Sequence, residues 1–168
     1  MLSPRKIHGI MSTPILSVRP EVAVIDALSF AQDHHIHHIP VLFRHGPIGL
    51  LCTCDLGDLE LRAPVGPSVH APAATIPSSA SCLTAAQVMD VDGVESLLVT
   101  DHDRVVGIVT RRDLARGGLP RAILQRWSCV YCGSLEHVHE VGGVGSVCAD
   151  CRERLEPPLP DDELGAGD

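Results

Sequence analysis

Four cysteines fall in two close pairs, Cys129-x2-Cys132 and Cys148-x2-Cys151, with fifteen residues between the pairs. Each pair presents two thiolates on one side of a turn. Together they complete a tetrahedral four-sulfur set with no open position, the arrangement of a structural zinc site. Two disulfides or redox-active pairs are the competing readings. The segment is only about 30 residues long and has few large apolar side chains, so it needs a staple to fold, and this favours the metal. His137 and His139 share a face of the strand expected over Leu135–Val141. With four cysteines at hand they are read as surface residues.

A second group of chemically capable residues lies upstream in Gly107-Ile108-Val109-Thr110-Arg111-Arg112-Asp113-Leu114. A carboxylate accepts two hydroxyl donors from a cis-diol, and a neighbouring hydroxyl completes the set. Arg111 and Arg112 stand beside that acceptor, and guanidinium suits bidentate phosphate contact. The plainer reading is local: Asp113 caps a helix and Thr110 ends a strand. A capping carboxylate keeps one oxygen for other work, so the two roles are compatible.

The same spacing occurs earlier as Gly49-Leu50-Leu51-Cys52-Thr53-Cys54-Asp55, with Cys52 in the threonine place and no arginine. A thiol is a poor substitute for a hydroxyl in hydrogen bonding. Asp55 can still meet a hydroxyl, but one complete site is expected, not two. Cys52 and Cys54 at i, i+2 share a face and could pair or bind a soft metal. The reading favoured here is that they are small buried apolar residues, like Cys82. His34, His35, His37 and His38 form a dense run. No carboxylate or thiol completes a ligand set with them, so an exposed loop is expected.

The elements that must position these residues repeat. Displaced by 58 residues, the two halves register without a gap: Pro14 on Pro72, Ala27 on Ala85, Val41 on Val99, Gly49 on Gly107, Asp55 on Asp113 and Leu56 on Leu114. Apolar positions between them match in kind, Val18 with Ile76 and Ile39 with Leu97 among them. Each unit reads as strand, helix, strand, strand, helix. In the first these are Ile15–Val18, Val24–Asp33, Ile39–Phe43, Ile48–Cys52 and a short helix starting at Asp55, with a turn at His45-Gly46-Pro47. In the second they are Ala74–Ile76, a helix capped by Ser81 and running through Met89, Leu97–Thr100, Val105–Thr110, and a helix opened by Asp113 and ended by Gly117-Gly118. Arg62–His70, with two prolines and a glycine, reads as a linker. One unit is too small to cover both sheet faces, so two packed units are expected to form one α/β module. Pro120 opens a further helix, Arg121 to about Arg126.

The register and its motifs resemble the CBS domain family, whose repeats occur in tandem pairs. The resemblance covers Lys6 to Arg116 and rests on His38-Ile39-Pro40-Val41 and on Gly107 to Leu114. It implies clefts between the repeats that bind adenosine-containing ligands such as AMP, ATP or S-adenosylmethionine. Thr110 and Asp113 would contact the ribose, with Asp55 the counterpart in the first repeat. Apolar cleft walls, Ile76 among them, would hold the base, and Arg111, Arg112 and His38 would serve the phosphate side. A homodimer of CBS pairs is also implied. The cysteine-rich end resembles a zinc ribbon. The expected layout is a first repeat over 1–62, a second over 63–118, a ribbon over 119–156 and a disordered acidic tail over 157–168.

Totals narrow the function. The 168 residues are 45% apolar and 20% charged, and aromatics make up 2%, so Val, Ile, Leu and Ala build the core. A net charge of −8, lower still with four thiolates on one zinc, argues against nucleic-acid binding, which needs a basic face. No run reaches the roughly 18–20 apolar residues of a membrane span, and no secretory signal is visible at the N-terminus. Three of the seven cysteines are isolated, which fits a reducing, cytoplasmic setting. No nucleophile–base pair or carboxylate pair marks an enzyme. The expectation is a regulatory protein that binds an adenine nucleotide, with zinc as a structural cofactor and a protein partner met through the ribbon. Alternatives are a ligand-free adaptor and a thiol redox or metal-handling protein.

Overall fold

Ala27 and Ala31 lie one turn apart and leave a flat apolar face, so the stretch after Pro20 folds as α1, Val24–His34, with Val24 and both alanines buried. A computed structural model describes residues 5–43, 46–57, 59–135 and 138–155. Contacts divide it into two units, Met1–Leu124 and Gln125–Asp168. In the first unit α1 is followed by β1 (His38–Phe43) and β2 (Gly46–Cys52), paired antiparallel. Then come β3 (Thr75–Pro77), α2 (Cys82–Asp92), β4 (Ser96–Asp101), β5 (Arg104–Thr110), α3 (Arg111–Arg116) and α4 (Arg121–Leu124). β3 runs parallel to β4, which pairs antiparallel with β5. The expected α/β pair of repeats is therefore present. Ser81 caps α2 by accepting from Thr84 N at 3.0 Å, and Gly93 ends it at φ 66°.

The repeat register holds in detail. The bulge between Val41 and Leu42 in β1 recurs between Val99 and Thr100 in β4. The expected first strand, Ile15–Val18, shrinks to one parallel bridge, Val18 to Val41, the match of Ile76 to Val99. The reason is Pro40. Its counterpart Leu98 donates to Ala74 O at 3.0 Å, a bond Pro40 has no N–H to make.

Arg62–His70, expected as a linker, is packed instead. Val65 is fully buried in the first repeat's core with Val18, Ile39, Val41 and Leu51. Its N–H donates to Val22 O at 2.9 Å, and its match Ile7 donates to Ala80 O at 2.9 Å. Ser12 pairs with Ile108 of β5, and its match His70 pairs with Leu50 of β2. Thus the segment leading into each repeat closes the other. This crossing explains the two motif glycines. A Cβ at Gly49 would strike the His70 carbonyl and the Val69 side chain, whereas one at Gly107 would meet the Met11 sulfur at 2.8 Å and stand 3.1 Å from the Ser12 carbonyl. A methionine end swings away and a 3.1 Å contact eases with a shift of a few tenths of an ångström, but the His70 backbone blocks Gly49 outright. Gly49→Ala is therefore expected to cost about 3 kcal/mol and Gly107→Ala about 1 kcal/mol. Urea midpoints at constant m would measure both, and equal losses would refute the asymmetry.

In the second unit β6 (Val138–Val141) and β7 (Gly145–Cys148) form an antiparallel hairpin, and α5 (Ala149–Leu155) follows. Val144 N donates to Val141 O at 3.0 Å across the glycine turn, with Gly143 at φ 79°. The strand expected over Leu135–Val141 starts at Val138, with Leu135 outside it. Glu136 and His137 lie outside the described residues, as do Arg44–His45 and the tail expected over 157–168. The helix expected over Arg121–Arg126 ends at Leu124.

Candidate functional site

Thr110 ends β5 and becomes the N-cap of α3. Asp113 is the third residue of that helix, not its cap. The Thr110 N–H and hydroxyl each donate to Asp113 Oδ2 at 2.9 Å, and Asp113 N–H donates to Thr110 Oγ1 at 3.3 Å. This reciprocal box satisfies two orphan donors of the helix start. Asp113 is only 8% exposed. Both donors of Thr110 go to Oδ2, and neither uses Oδ1.

The neighbouring arginines diverge. Arg111 turns inward, its Nη1 3.2 Å from Glu95 Oε1 and its Nη2 donating to Val94 O at 3.4 Å. Burial lowers its pKa from the ordinary arginine value, and the Glu95 and Asp90 carboxylates oppose that fall. Arg112 is exposed. His38, at the start of β1, places Nε2 3.6 Å from Glu95 Oε2. The fold thus brings His38 of one repeat and Arg111 of the other onto a single carboxylate. Glu95 was not singled out from sequence. Its only signal was a carboxylate entering a buried strand, where its repeat match is His37. Ile76 is buried on β3, its carbonyl accepting from Thr100 Oγ1 at 3.4 Å.

The first copy differs. Cys52 and Cys54 are joined as a disulfide with Cα atoms 5.2 Å apart, which corrects the expectation of two separate buried thiols. The chain leaves the strand at Cys52 into a 3-10 turn, Thr53–Asp55, and the bend brings the two residues within bridging distance. The turn ends at Asp55, where a helix was expected to start. No side chain caps it, and Asp55 faces outward to His70, Oδ2 to Nε2 2.9 Å. His70 was also missed, because its place depends on the crossing of the leading segments. His34 and His35 are exposed, the latter in the left-handed region at φ 53°.

In the second unit the sulfurs of Cys129, Cys132, Cys148 and Cys151 lie within 4.8 Å of one another. Gly133 at φ 75° forms the first knuckle, its N–H donating to Cys129 O at 2.8 Å. The hairpin and the start of α5 deliver the other pair. Burial opposes the Cys129 thiolate, but backbone N–H groups of Cys148, Cys132 and Tyr131 win and hold its pKa at about 6. Burial and the neighbouring sulfurs push Cys151 up to about 12. One thiol ionises and its neighbour resists, a conflict that a coordinated dication resolves by deprotonating all four. The donor set fits zinc: four sulfurs, two of them buried, around one point. His139 on β6 is exposed.

The CBS domain family model matches residues 7–56 and 65–119, so the chain belongs to that family as a tandem pair. Among solved structures, a conserved CBS domain protein of unknown function from Thermoplasma acidophilum, TA0289, is 25% identical. The alignment covers 78% of this chain and 84% of that one, with a TM-score of 0.66. The CBS domain pair of protein MJ0100, in complex with 5′-methylthioadenosine and S-adenosyl-L-methionine, is 22% identical. It covers 70% of this chain and 100% of its own, with a TM-score of 0.64. The CBS domain of a bacterial CNNM/CorC family Mg2+ transporter, in complex with ATP, is 20% identical over 67% of this chain and 85% of its own, with a TM-score of 0.61. No curated protein matches the chain.

Proposed function

We propose that this chain is a non-enzymatic regulatory protein that binds one adenosine-containing ligand at the second repeat's motif and one structural zinc at the four cysteines. The observation that carries the reading is the contrast between the two copies. Asp113 is held by its box with one oxygen left for a ribose, whereas Asp55 is turned to His70 beside a disulfide. Bound S-adenosylmethionine and ATP in structures of the same fold support the ligand class. Arg112 is the phosphate contact. Arg111 acts from within its pair with Glu95, holding His38 and the second repeat together. Ile76 packs behind the base.

A protein partner at the zinc unit is the second element of the reading. Val130, Tyr131 and Val144 are large apolar residues more than 40% exposed on that unit. Ile25 and Leu83, at matched positions of α1 and α2, are equally exposed and suit a dimer of pairs.

Titration calorimetry of the zinc-loaded chain with AMP, ADP, ATP and S-adenosylmethionine tests the ligand. One of them is expected to bind with one equivalent per chain and to raise Tm with concentration. Light scattering on the same samples is expected to give a dimer mass. Two equivalents would refute the single site, and no heat or Tm shift at millimolar ligand would leave the pair a scaffold. A monomer mass would remove the dimer.

A further inference from the structure

The first repeat's copy of the motif holds chemistry that the nucleotide reading leaves unused. Cys52 is half-buried at the end of β2, and Cys54 is exposed in the following turn. Among the described residues outside the four-sulfur cluster the remaining cysteine is Cys82, which is buried. A small thiol can therefore reach the Cys54 sulfur from solvent. Asp55 Oδ1 lies 3.9 Å from that sulfur. By repeat register Cys52 stands in the place of Thr110, the cap of α3, and Asp55 in the place of Asp113. The second repeat closes this turn with hydrogen bonds, and the first closes it with a covalent bond.

We propose that Cys52 and Cys54 are a reversible redox pair that exchanges with low-molecular-weight thiols and disulfides, a covalent switch on the first repeat's motif. In oxidation the exposed Cys54 thiolate attacks one sulfur of a small disulfide and expels one thiolate. The Cys52 thiolate then attacks the Cys54 sulfur and expels the second. The protein loses two electrons, the small disulfide gains them, and the two cysteine protons end on the two released thiols. Reduction is the reverse. The pair's thiols with Asp55 also make a three-donor set within 4.8 Å, so a thiophilic cation is the rival occupant of the reduced pair.

The test uses the full zinc-loaded chain, equilibrated in glutathione buffers from fully reduced to fully oxidised, acid-quenched, alkylated and mapped by peptide mass. The peptide carrying Cys52 and Cys54 is expected to pass from two alkyl groups to none in one transition. Cys54→Ser is expected to lose this transition, its Cys52 alkylated in reduced buffer and at most carrying one glutathione in oxidised buffer, with zinc content and the Tm of the reduced chain unchanged. Two alkyl groups retained in fully oxidised buffer, or two separate transitions, would overturn the pair. So would a second bound zinc in the reduced wild type that Cys54→Ser loses, which would assign these thiols to a metal. The outcome is independent of nucleotide binding, since no step uses it.

Discussion

Cys129→Ser is expected to abolish metal retention and to unfold the hairpin of the second unit. The wild-type chain is expected to carry one zinc. A serine hydroxyl keeps its proton at neutral pH, so the variant offers three sulfurs where closure needs four. Apolar burial cannot make up the loss. Outside the ligands themselves, the apolar cluster packed on these cysteines is Val138 and Val147, with Val141 at its edge, and the buried Trp127 lies outside that cluster. Each buried valine stabilises by about 1.5–3 kcal/mol, against an apparent 10–16 kcal/mol or so for a structural zinc. Metal analysis and amide hydrogen exchange read the result. Amides of β6 and β7 should exchange without protection, while those of the β4–β5 ladder stay protected. Retained zinc with retained protection in the variant would show that the fourth sulfur is dispensable. A wild-type chain that shows no free thiols at these positions after unfolding would show disulfides instead.

What could be read from sequence was whatever a short window carries. Gly, Pro and Asp mark turns and caps at fixed offsets, so the period, the strand–helix order and the α1 face of Ala27 and Ala31 were all legible. The four-cysteine spacing was legible for the same reason, and those sulfurs do converge. What escaped depends on distant chain. Val65 sits among turn residues and gives no sign that it fills the other side of a core. Gly49 and Gly107 read as strand glycines until the crossing backbone of Ser12 and His70 explains them. The cap was misassigned by three residues, because both Thr110 and Asp113 are good capping types and a capping box uses both. Glu95 is meaningful only once α3 and β1 both reach it.

That shared box sets up the second large effect. Asp113→Ala removes the acceptor of the Thr110 N–H, a part-buried donor, and is expected to cost about 1–2 kcal/mol of stability. It should also abolish the ligand-induced rise in Tm. Taken alone, that result would not separate a cap from a ribose contact, because both are lost together. Asp113→Asn does separate them. The amide oxygen still accepts from Thr110, so the box and most of the stability survive. What changes is the other atom, an acceptor oxygen replaced by an NH2 donor, and the charge. Hydrogen bonds to a charged group are worth about 1.5–3 kcal/mol, and about 1.4 kcal/mol is tenfold in affinity. Asp113→Asn is therefore expected to melt near the wild type while binding the adenosine ligand 10- to 100-fold or so more weakly. Thr110→Val takes the other member of the box. Asp113 N–H loses its acceptor, stability falls by about 1 kcal/mol, and the hydroxyl expected at the ribose is lost while the carboxylate remains, so stability and affinity fall together. If Asp113→Asn binds as tightly as the wild type, the carboxylate is a helix cap only, and the ligand, if bound, is held by other groups.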